Sequence, residues 1–335
     1  MKRIKTYIAL ILALMLVLPC LASCSGETAF ELPTRTLIEG EEQSFGSFRY
    51  RLYDDGSVII TGYTGSEGSV TIPDRINGAR VVELGIDAFS ENTSIVSVKL
   101  NSSLEIVGDY CFYNCTSLAE VTFGKRVWSV GVAAFEGTPW LVAQTDEYVI
   151  VGDGVLLKYQ GEAQELTLPD NIKHTSYAFS MNDRLVSVRL NDGLLTLGTS
   201  AFAYCVNLRL VEFGAGSRVR LIGDGAFDGC ENLPSIELPD SVEAIGSYAF
   251  NFCNYINQIK LGSRVRSIGS YAFRNCLRMK LINLPESIES IGEYSFADCA
   301  SLGIVFYGGS AEQFAKLEIS SSNFILRDVD KIYLK

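Results

Sequence analysis

The stretch CENLPSIELPDSVEAIGSYAF, residues 230–250, contains one complete copy of the pattern that decides the fold. Ile236 and Leu238 are two positions apart, the spacing that places two side chains on one face of a β-strand. After a proline turn, a second extended piece is expected at Val242–Ile245. A glycine then marks another turn, and we expect a helical turn around the sequence Ala-Phe-x-x-Cys that begins at Ala249. One unit therefore predicts a short strand, a turn, a second extended piece and a helical turn.

Phenylalanines equivalent to the last residue of this stretch recur along the chain at a nearly constant interval. They are Phe89, Phe112, Phe135, Phe179, Phe202, Phe227, Phe250, Phe273 and Phe296. Six of the eight intervals are 23 residues long, and the other two are 44 and 25 residues. Glycine stands four residues before the phenylalanine in eight of the nine units, and an apolar residue stands six residues after it in all nine. A unit of this length cannot bury its apolar positions alone, so we expect stacked units to share one continuous core.

The repeated unit resembles the leucine-rich repeat of the BspA-like (Treponema-pallidum-type) family of bacterial surface lipoproteins. The segment Cys230-x-x-Leu233-x-x-Ile236-x-Leu238-Pro239 is similar to the consensus of that family, and the resemblance covers residues 45–335. It implies a β-rich solenoid, an array of about nine 23-residue leucine-rich repeats with short helical turns. No asparagine ladder follows the strands, since the corresponding position holds Ser or Arg. This departure argues against a horseshoe of uniform curvature.

The ends of a repeat array need covering, because they otherwise expose core and strand edges. The predicted segments are an N-terminal β-hairpin cap at residues 45–84, the repeats at residues 85–306 and a C-terminal helix/strand cap at residues 307–335. In the first cap, Asp54-Asp55-Gly56-Ser57 favours one hairpin, and Asn77-Gly78 favours a second one between Val70–Ile76 and Ala79–Leu84. The second cap is predicted from helical spacing at Ala311–Leu317 and a strand at Phe324–Tyr333, and it resembles the C-terminal cap of the same family.

The 44-residue interval predicts a β-hairpin inserted into one repeat, at about residues 138–165. Its strands are expected at Tyr148–Val151 and Val155–Tyr159, on either side of Gly152-Asp153-Gly154. Insertions in repeat proteins often carry binding contacts. The alternative interpretation is an architectural feature without a ligand, and the residues do not decide between the two.

The N-terminus has the pattern of an export signal. Residues 1–23 combine a basic start (Lys2, Arg3, Lys5), an apolar run from Tyr7 to Leu18 and a small-residue cleavage site. Leu21-Ala22-Ser23-Cys24 resembles the lipobox of bacterial lipoproteins, which implies lipidation of Cys24 and anchoring at the bacterial cell surface or envelope. The alternative is an ordinary cleaved signal in which this cysteine is incidental. Residues 24–44 are predicted to form a flexible polar tether.

Composition and charge exclude several function classes. The formal net charge is −11, and cleavage after residue 23 would lower it to −14 because three basic residues and no acid are removed. Nucleic acid is therefore not an expected partner, since phosphate binding needs clustered Lys and Arg. A single histidine, His174, leaves no multi-histidine metal site. We interpret it as a satisfied, partly buried side chain, since no nucleophile or third group accompanies it.

Six cysteines occupy the same position, three residues after the phenylalanine. They are Cys115, Cys205, Cys230, Cys253, Cys276 and Cys299. Repetition at one structural position favours packing as small apolar side chains. Disulfides between adjacent units stay open as an alternative, because the expected strand spacing falls in the permitted range. No Cys-x-x-Cys occurs, so we expect no metal site, and the sequence predicts no cofactor and no catalytic group.

Residues eight and ten positions after each phenylalanine are predicted to point outward from the first strand of each unit. The candidate binding face consists of Lys99, Glu120, Thr122, Ser187, Arg189, Glu212, Glu237, Gln258, Lys260 and Asn283. Stacked units would align these side chains in two columns, a surface that repeat proteins use for partners. The columns become apolar at Leu281, Ile304 and Phe306, which either mark a contact site or lie under the C-terminal cap.

The resemblance implies a non-enzymatic cell-surface protein that binds an extracellular protein or glycan of a host or neighbouring cell, in adhesion or protein–protein interaction. A structural or spacer lipoprotein of the envelope without a dedicated ligand is the alternative. A polysaccharide-active enzyme is a third interpretation, but no pair of carboxylates is placed by a motif. We expect a monomer held at the membrane through its N-terminal lipid.

Overall fold

The structure, a computed structural model, describes residues 30–335. The predicted signal peptide and Cys24 lie outside this range. The described residues form two compact units. We call residues 30–124 with 135–140 the N-terminal unit, and residues 125–134 with 141–335 the C-terminal unit.

The N-terminal unit contains two small sheets. Its strands are β1 (Gln43–Phe45), β2 (Phe48–Leu52), β3 (Val58–Tyr63), β4 (Ser69–Thr71), β5 (Arg75–Ile76), β6 (Ala79–Leu84), β7 (Ser97–Lys99), β8 (Ile106–Val107) and β9 (Glu120–Thr122). β1, β2 and β3 pair antiparallel in chain order. β3 then pairs parallel with β6, and β6 with β8, whereas β4, β7 and β9 form a separate parallel sheet. The repeat pattern of two parallel strands per turn therefore begins within the segment predicted as a cap.

The second predicted hairpin is much shorter than expected. Only β5 and β6 pair antiparallel around Asn77-Gly78, over two residues on each side. Val70 lies instead in β4, which pairs with β7. Pro73 separates β4 from β5, and a proline has no backbone N–H with which to continue a ladder. A single strand over Val70–Ile76 is therefore wrong.

Part of the segment predicted as a tether contacts the N-terminal unit. Arg35 is 8% exposed and donates from Nη2 to Oε2 of Glu105 at 2.6 Å. Its guanidinium lies over the ring of Tyr53, whose hydroxyl donates to Oε2 of Glu83 at 2.7 Å. Burial raises the pKa of the Glu83 carboxyl. Leu37 adds an isolated bridge to Tyr53, so residues 35–37 are held by specific contacts instead of lying free.

The C-terminal unit repeats the same two-strand turn. Helix α1 (Pro139–Val142) is divided between the two units. The other elements are β10 (Ser129–Val130), β11 (Tyr148–Val151), β12 (Val155–Tyr159), β13 (Glu165–Thr167), β14 (His174–Thr175), β15 (Ser187–Leu190), β16 (Thr196–Leu197), β17 (Leu210–Phe213), β18 (Leu221–Ile222), β19 (Ser235–Glu237), β20 (Ala244–Ile245), β21 (Gln258–Lys260), β22 (Ser267–Ile268), β23 (Leu281–Leu284), β24 (Ser290–Ile291), β25 (Ile304–Tyr307), α2 (Ala311–Phe314), β26 (Glu318–Ile319), α3 (Ile325–Asp328) and β27 (Asp330–Tyr333). The even-numbered strands from β12 to β26 form one parallel sheet, to which β11 adds an antiparallel edge. The odd-numbered strands from β13 onward form two parallel runs, β13–β15–β17 and β19–β21–β23–β25–β27.

The predicted helical turns are hydrogen-bonded turns, not helices. Around Phe227, the N–H of Ala226 donates to the carbonyl of Gly223, and the N–H of Cys230 donates to that of Phe227, both at 3.1 Å. Residues two before and two after the phenylalanine have positive φ, as at Tyr248 (59°) and Phe252 (56°). A left-handed residue interrupts a right-handed helix, so each segment is limited to single turns. The solenoid itself is confirmed, with about 12 turns instead of the expected nine, because turns without the phenylalanine also contribute.

The core of the C-terminal unit is a column of phenylalanine rings. Successive rings from Phe179 to Phe296 stack with centroids 4.9–5.4 Å apart and interplanar angles of at most 16°. Each of these rings is at most 1% exposed. The glycine of each turn lies against the preceding glycine: a Cβ on Gly269 would lie 2.5 Å from the carbonyl carbon of Gly246. Glycine is therefore required there by the close approach of neighbouring turns.

The repeated cysteines are buried thiols. The seven cysteines within residues 30–335 are all free. Each cysteine three after a phenylalanine donates from Sγ to a core phenylalanine carbonyl of an earlier turn, as Cys230 does to Phe202 at 3.1 Å and Cys253 to Phe227 at 3.2 Å. Burial raises the pKa of the Cys253 thiol. These contacts fit the packing interpretation of the cysteines.

The C-terminal residues 311–333 differ from their predicted elements in two places. Helix α2 begins with a capping box, in which the side chains of Ser310 and Gln313 each accept a hydrogen bond from the other residue's backbone N–H. The helix ends at Phe314 instead of residue 317. The strand predicted over Phe324–Tyr333 is wrong in its first half, because residues 325–328 form helix α3. Leu326 of this helix is 2% exposed and packs against the core.

Candidate functional site

The candidate face consists of the outward side chains of the short strands that open each turn. In β19, Ile236 is 2% exposed, while Ser235 and Glu237 on either side of it are exposed. The same alternation recurs in β21, where Ile259 is buried between Gln258 and Lys260. The period of two residues therefore separates one core position from two outward positions in each strand.

Parallel register aligns the outward positions of the C-terminal unit. Ser187 pairs with Leu210, and Arg189 pairs with Glu212 between β15 and β17. Arg189, Leu210 and Glu212 are exposed, whereas Ser187 is half-buried. Leu210 is 47% exposed, so this part of the face contains an apolar side chain beside the oppositely charged Arg189 and Glu212.

A second run continues toward the C-terminus. Glu237 pairs with Lys260, Lys260 with Asn283, and Asn283 with Phe306. Lys260 Nζ lies 3.5 Å from Glu237 Oε2, and the two side chains are 63% and 74% exposed. An ion pair this exposed contributes between about 0 and 1 kcal/mol, so both charges stay accessible to a partner.

The N-terminal unit has its own copy of the face. Lys99 of β7 pairs with Thr71 on one side and with Thr122 on the other, and Ser97 pairs with Glu120. Lys99, Glu120 and Thr122 are exposed. The ten predicted residues thus fall into two sets, three in the N-terminal unit and seven in the C-terminal unit.

The apolar end of the columns is extended by the last strand. β27 pairs parallel with β25, so that Ile304 lies next to Asp330, and Phe306 lies next to Ile332. Ile304 and Phe306 are half-buried, and Ile332 is 42% exposed. The cap strand therefore lengthens the face in the plane of the sheet. One interpretation placed Ile304 and Phe306 under the C-terminal cap, but the structure leaves both side chains partly exposed.

The sequence analysis did not identify a row of charged residues that directly precede the even-numbered strands β18 to β24. Arg220 donates from Nε and Nη2 to both carboxylate oxygens of Glu243 at 3.0 and 2.8 Å. Two turns further, Arg266 Nη2 donates to Glu289 Oε1 at 2.6 Å. All four residues stand seven positions before a core phenylalanine. That constant position, with alternating charge, is the signal that would have revealed the row.

His174 is part of the core and not of a surface site. The side chain is 0% exposed, and its Nδ1 lies 3.0 Å from Oγ1 of Thr196 in the next strand of the sheet. The ring of Trp128 lies 5.9 Å away, centroid to centroid. Burial lowers the pKa of the imidazole to about 4. The prediction of a partly buried histidine therefore understated its burial.

Within the described residues, 30–335, no group of three or more His, Cys, Asp or Glu side chains has an arrangement that could hold a metal ion. No helix within the same residues is long and apolar enough to cross a membrane.

Short parallel strands at constant spacing, with a buried phenylalanine in most turns, define a leucine-rich repeat solenoid. Residues 145–220 and 220–325 match the family model described as BspA type leucine rich repeat region, in six copies. These segments span more than half of the 335 residues, and the chain belongs to the BspA-type leucine-rich repeat family. The resemblance drawn from the sequence is thereby confirmed. Among curated proteins no match is found.

Several solved structures are similar to this chain at low identity. The T. pallidum leucine-rich repeat protein is 24% identical, over 71% of this chain and 91% of its own, with a TM-score of 0.32. A leucine-rich cell surface protein of Faecalibacterium prausnitzii is 19% identical, over 84% of this chain and 98% of its own, with a TM-score of 0.32. The pneumococcal vaccine antigen PcpA is 16% identical, over 88% of this chain and 99% of its own, with a TM-score of 0.40.

Proposed function

We propose that this protein is a non-enzymatic binding protein that holds an extracellular protein on the outward face of strands β7 and β9 and of the odd-numbered strands from β13 to β27. The observation that carries the proposal is the register of the C-terminal unit, which aligns Arg189 with Glu212 and Glu237 with Lys260. Aligned, exposed charges of both signs beside an exposed leucine suit a protein surface better than a uniformly charged polymer. The family membership supports the same function, because repeat arrays present extended surfaces for partners.

The proposal includes export and attachment at the bacterial cell surface through a lipid on Cys24. It is supported by the basic, apolar and small-residue order of residues 1–24. Acyl chains on a single N-terminal cysteine would hold the whole chain at a membrane. Metabolic labelling of the expressed chain with an alkyne fatty acid tests this directly, with Cys24→Ala as the variant expected to lose the label.

The binding proposal is tested with the full chain against extracellular-matrix proteins, mucins, glycans and bacterial envelope fractions. Once a saturable partner is found, Arg189→Glu and Lys260→Glu are each expected to weaken its binding about tenfold or more. Arg264→Glu is the matched control, because Arg264 is an exposed arginine that lies outside the odd-numbered strands.

Unchanged affinity in both face variants would remove the face from the proposal. A folded protein that binds nothing in the screen would favour the alternative of a structural or spacer lipoprotein. Turnover of any glycan in the screen would instead point to an enzyme.

A further inference from the structure

A column of tyrosine rings runs along the turns of the C-terminal unit, outside the phenylalanine core. Tyr248, Tyr271 and Tyr294 each stand two residues before a core phenylalanine. Their rings stack with centroids 4.8 Å and 5.3 Å apart and interplanar angles of 7° and 17°. Tyr248 is 42% exposed and Tyr294 is 40% exposed, so the column lies at the surface.

The column ends at Tyr294, because the next turn has no aromatic residue at the corresponding position. Ile291 of β24 pairs with Ile319 of β26, and counting three residues onward places Ser322 opposite Tyr294. A hydrogen bond agrees with this register, because the N–H of Tyr294 donates to the side-chain Oγ of Ser322 at 2.9 Å. A serine therefore stands where continuation of the column would require a fourth ring.

A cavity of about 550 Å³ lies at this place, lined by Tyr294, Ser322 and Phe324 among others. By the same register, Phe324 corresponds to the core phenylalanine Phe296. The Phe324 side chain is nevertheless 63% exposed, and Leu326 is the buried residue of this turn. An aromatic side chain that leaves its core position and lines a surface cavity is an independent sign that the cavity receives a ring.

The rim of the cavity carries one positive and one negative side chain. Arg274 Nε donates to Oδ2 of Asp298 at 3.2 Å, and the two side chains are 41% and 57% exposed. A guanidinium has five N–H donors and a carboxylate has two acceptor oxygens, so this bond leaves both groups able to bind a ligand. Arg274 and Asp298 therefore provide hydrogen-bond donors and acceptors next to each other at the rim, and their charges cancel.

We propose that this cavity binds a neutral pyranose ring of a glycan, stacked between Tyr294 and Phe324. A pyranose has an apolar C–H face for the aromatic rings and hydroxyl groups that both donate and accept at its edge, where Arg274 and Asp298 lie. A phenylalanine side chain of a peptide fits the rings equally well, but it brings no polar edge. It would bury part of the charged pair without hydrogen bonds, which costs free energy.

This site is separate from the binding function proposed above, because none of its residues belongs to the outward columns of the odd-numbered strands. The two proposals can therefore fail independently.

The test is titration of the full chain with maltotriose, cellotriose, mannotriose and chitotriose, followed by tyrosine fluorescence and by saturation-transfer NMR. At least one trisaccharide is expected to bind saturably in the wild type. Phe324→Ala is expected to weaken that binding about tenfold, the loss of one aromatic stacking contact. Ser322→Tyr is expected to abolish it by filling the cavity.

Phe252→Ala is the matched control, since Phe252 is an exposed phenylalanine (43%) outside the cavity, and its binding is expected to equal that of the wild type. Circular dichroism of each variant separates lost binding from lost folding. The proposal is overturned if no trisaccharide binds the wild type at millimolar concentration, or if Phe324→Ala binds as well as the wild type. Binding of N-acetyl-phenylalaninamide in place of every sugar would overturn the saccharide class and assign the cavity to an aromatic side chain.

Discussion

Nδ1 of His174 and Oγ1 of Thr196 lie 3.0 Å apart inside the protein, in neighbouring strands β14 and β16. The only histidine of the chain is thus fully buried, so that an ionised ring would be out of contact with bulk solvent. Since burial favours the neutral imidazole, this pair couples the protonation of one side chain to the stability of the whole unit.

We predict that this histidine makes the protein less stable in mild acid. Its pKa falls from 6.5 in the unfolded chain to about 4 in the folded protein. Between these values the unfolded state binds more protons, so stability is lost as the pH falls from 6.5 to 4, by about 3 kcal/mol in total. Urea unfolding at several pH values measures the loss, and His174→Asn should remove that part of it. An NMR titration in which the single imidazole shows a pKa near 6.5 would contradict the prediction.

We predict that Gly269→Ala lowers the free energy of unfolding by about 1–3 kcal/mol. The added methyl group would lie 2.5 Å from the carbonyl carbon of Gly246 and 2.4 Å from the nitrogen of Ser247, and backbone atoms of a neighbouring turn cannot move aside cheaply. Gly303→Ala is the control, because no atom lies within 4 Å of its added methyl group. Equal stabilities of the two variants in chemical denaturation would show that the turns are less closely packed than the structure indicates.

We predict that the seven cysteines within residues 30–335 resist alkylation in the native protein. All are buried, and burial raises the pKa of Cys205 to about 12 and that of Cys115 to about 11. Because the thiolate is the reactive form, iodoacetamide at neutral pH should label them only after denaturation. Peptide mapping by mass spectrometry checks each position separately. Rapid native labelling of Cys205 would mean that its turn opens readily, and a disulfide between turns would contradict the packing interpretation.

We predict that the pair Arg220–Glu243 contributes more to stability than the pair Lys260–Glu237. The first has two hydrogen bonds of 3.0 and 2.8 Å, and its side chains are 26% and 21% exposed. The second spans 3.5 Å between largely exposed groups. Double-mutant cycles with Arg→Met, Lys→Met and Glu→Gln should give a coupling of about 1 kcal/mol for the first pair and close to zero for the second. The reverse order would mean that the charged row beside the even-numbered strands does not stabilise the fold.

The repeat was predictable because each turn imposes the same requirement on the same position. Phe250 must stack on its neighbours, and Gly246 must allow the preceding turn to approach, so both residue types recur at a fixed interval. Outward positions such as Lys99 followed from the two-residue period of a strand. A periodic pattern therefore predicts the fold, the core and which side chains point outward.

Features that break the period could not be predicted in this way. Pro73 divides one expected strand, and helix α3, with the buried Leu326, replaces the first half of another. Arg35 is held by Glu105, a residue far away in the sequence, and no local pattern marks that contact. The cavity beside Tyr294 likewise depends on what the next turn lacks, which becomes visible only when two turns are placed side by side.

In strands β19 and β21, one buried side chain holds the fold together and its two neighbours face away from it, and this division has an evolutionary consequence. Substitutions at Glu237 or Lys260 leave the buried Ile236 and Ile259 untouched, so recognition can change without a penalty in folding. Duplication or loss of one 23-residue unit would add or remove one row of the surface while preserving every other row. Such a chain can acquire new partners by recombination within its own gene, one row at a time.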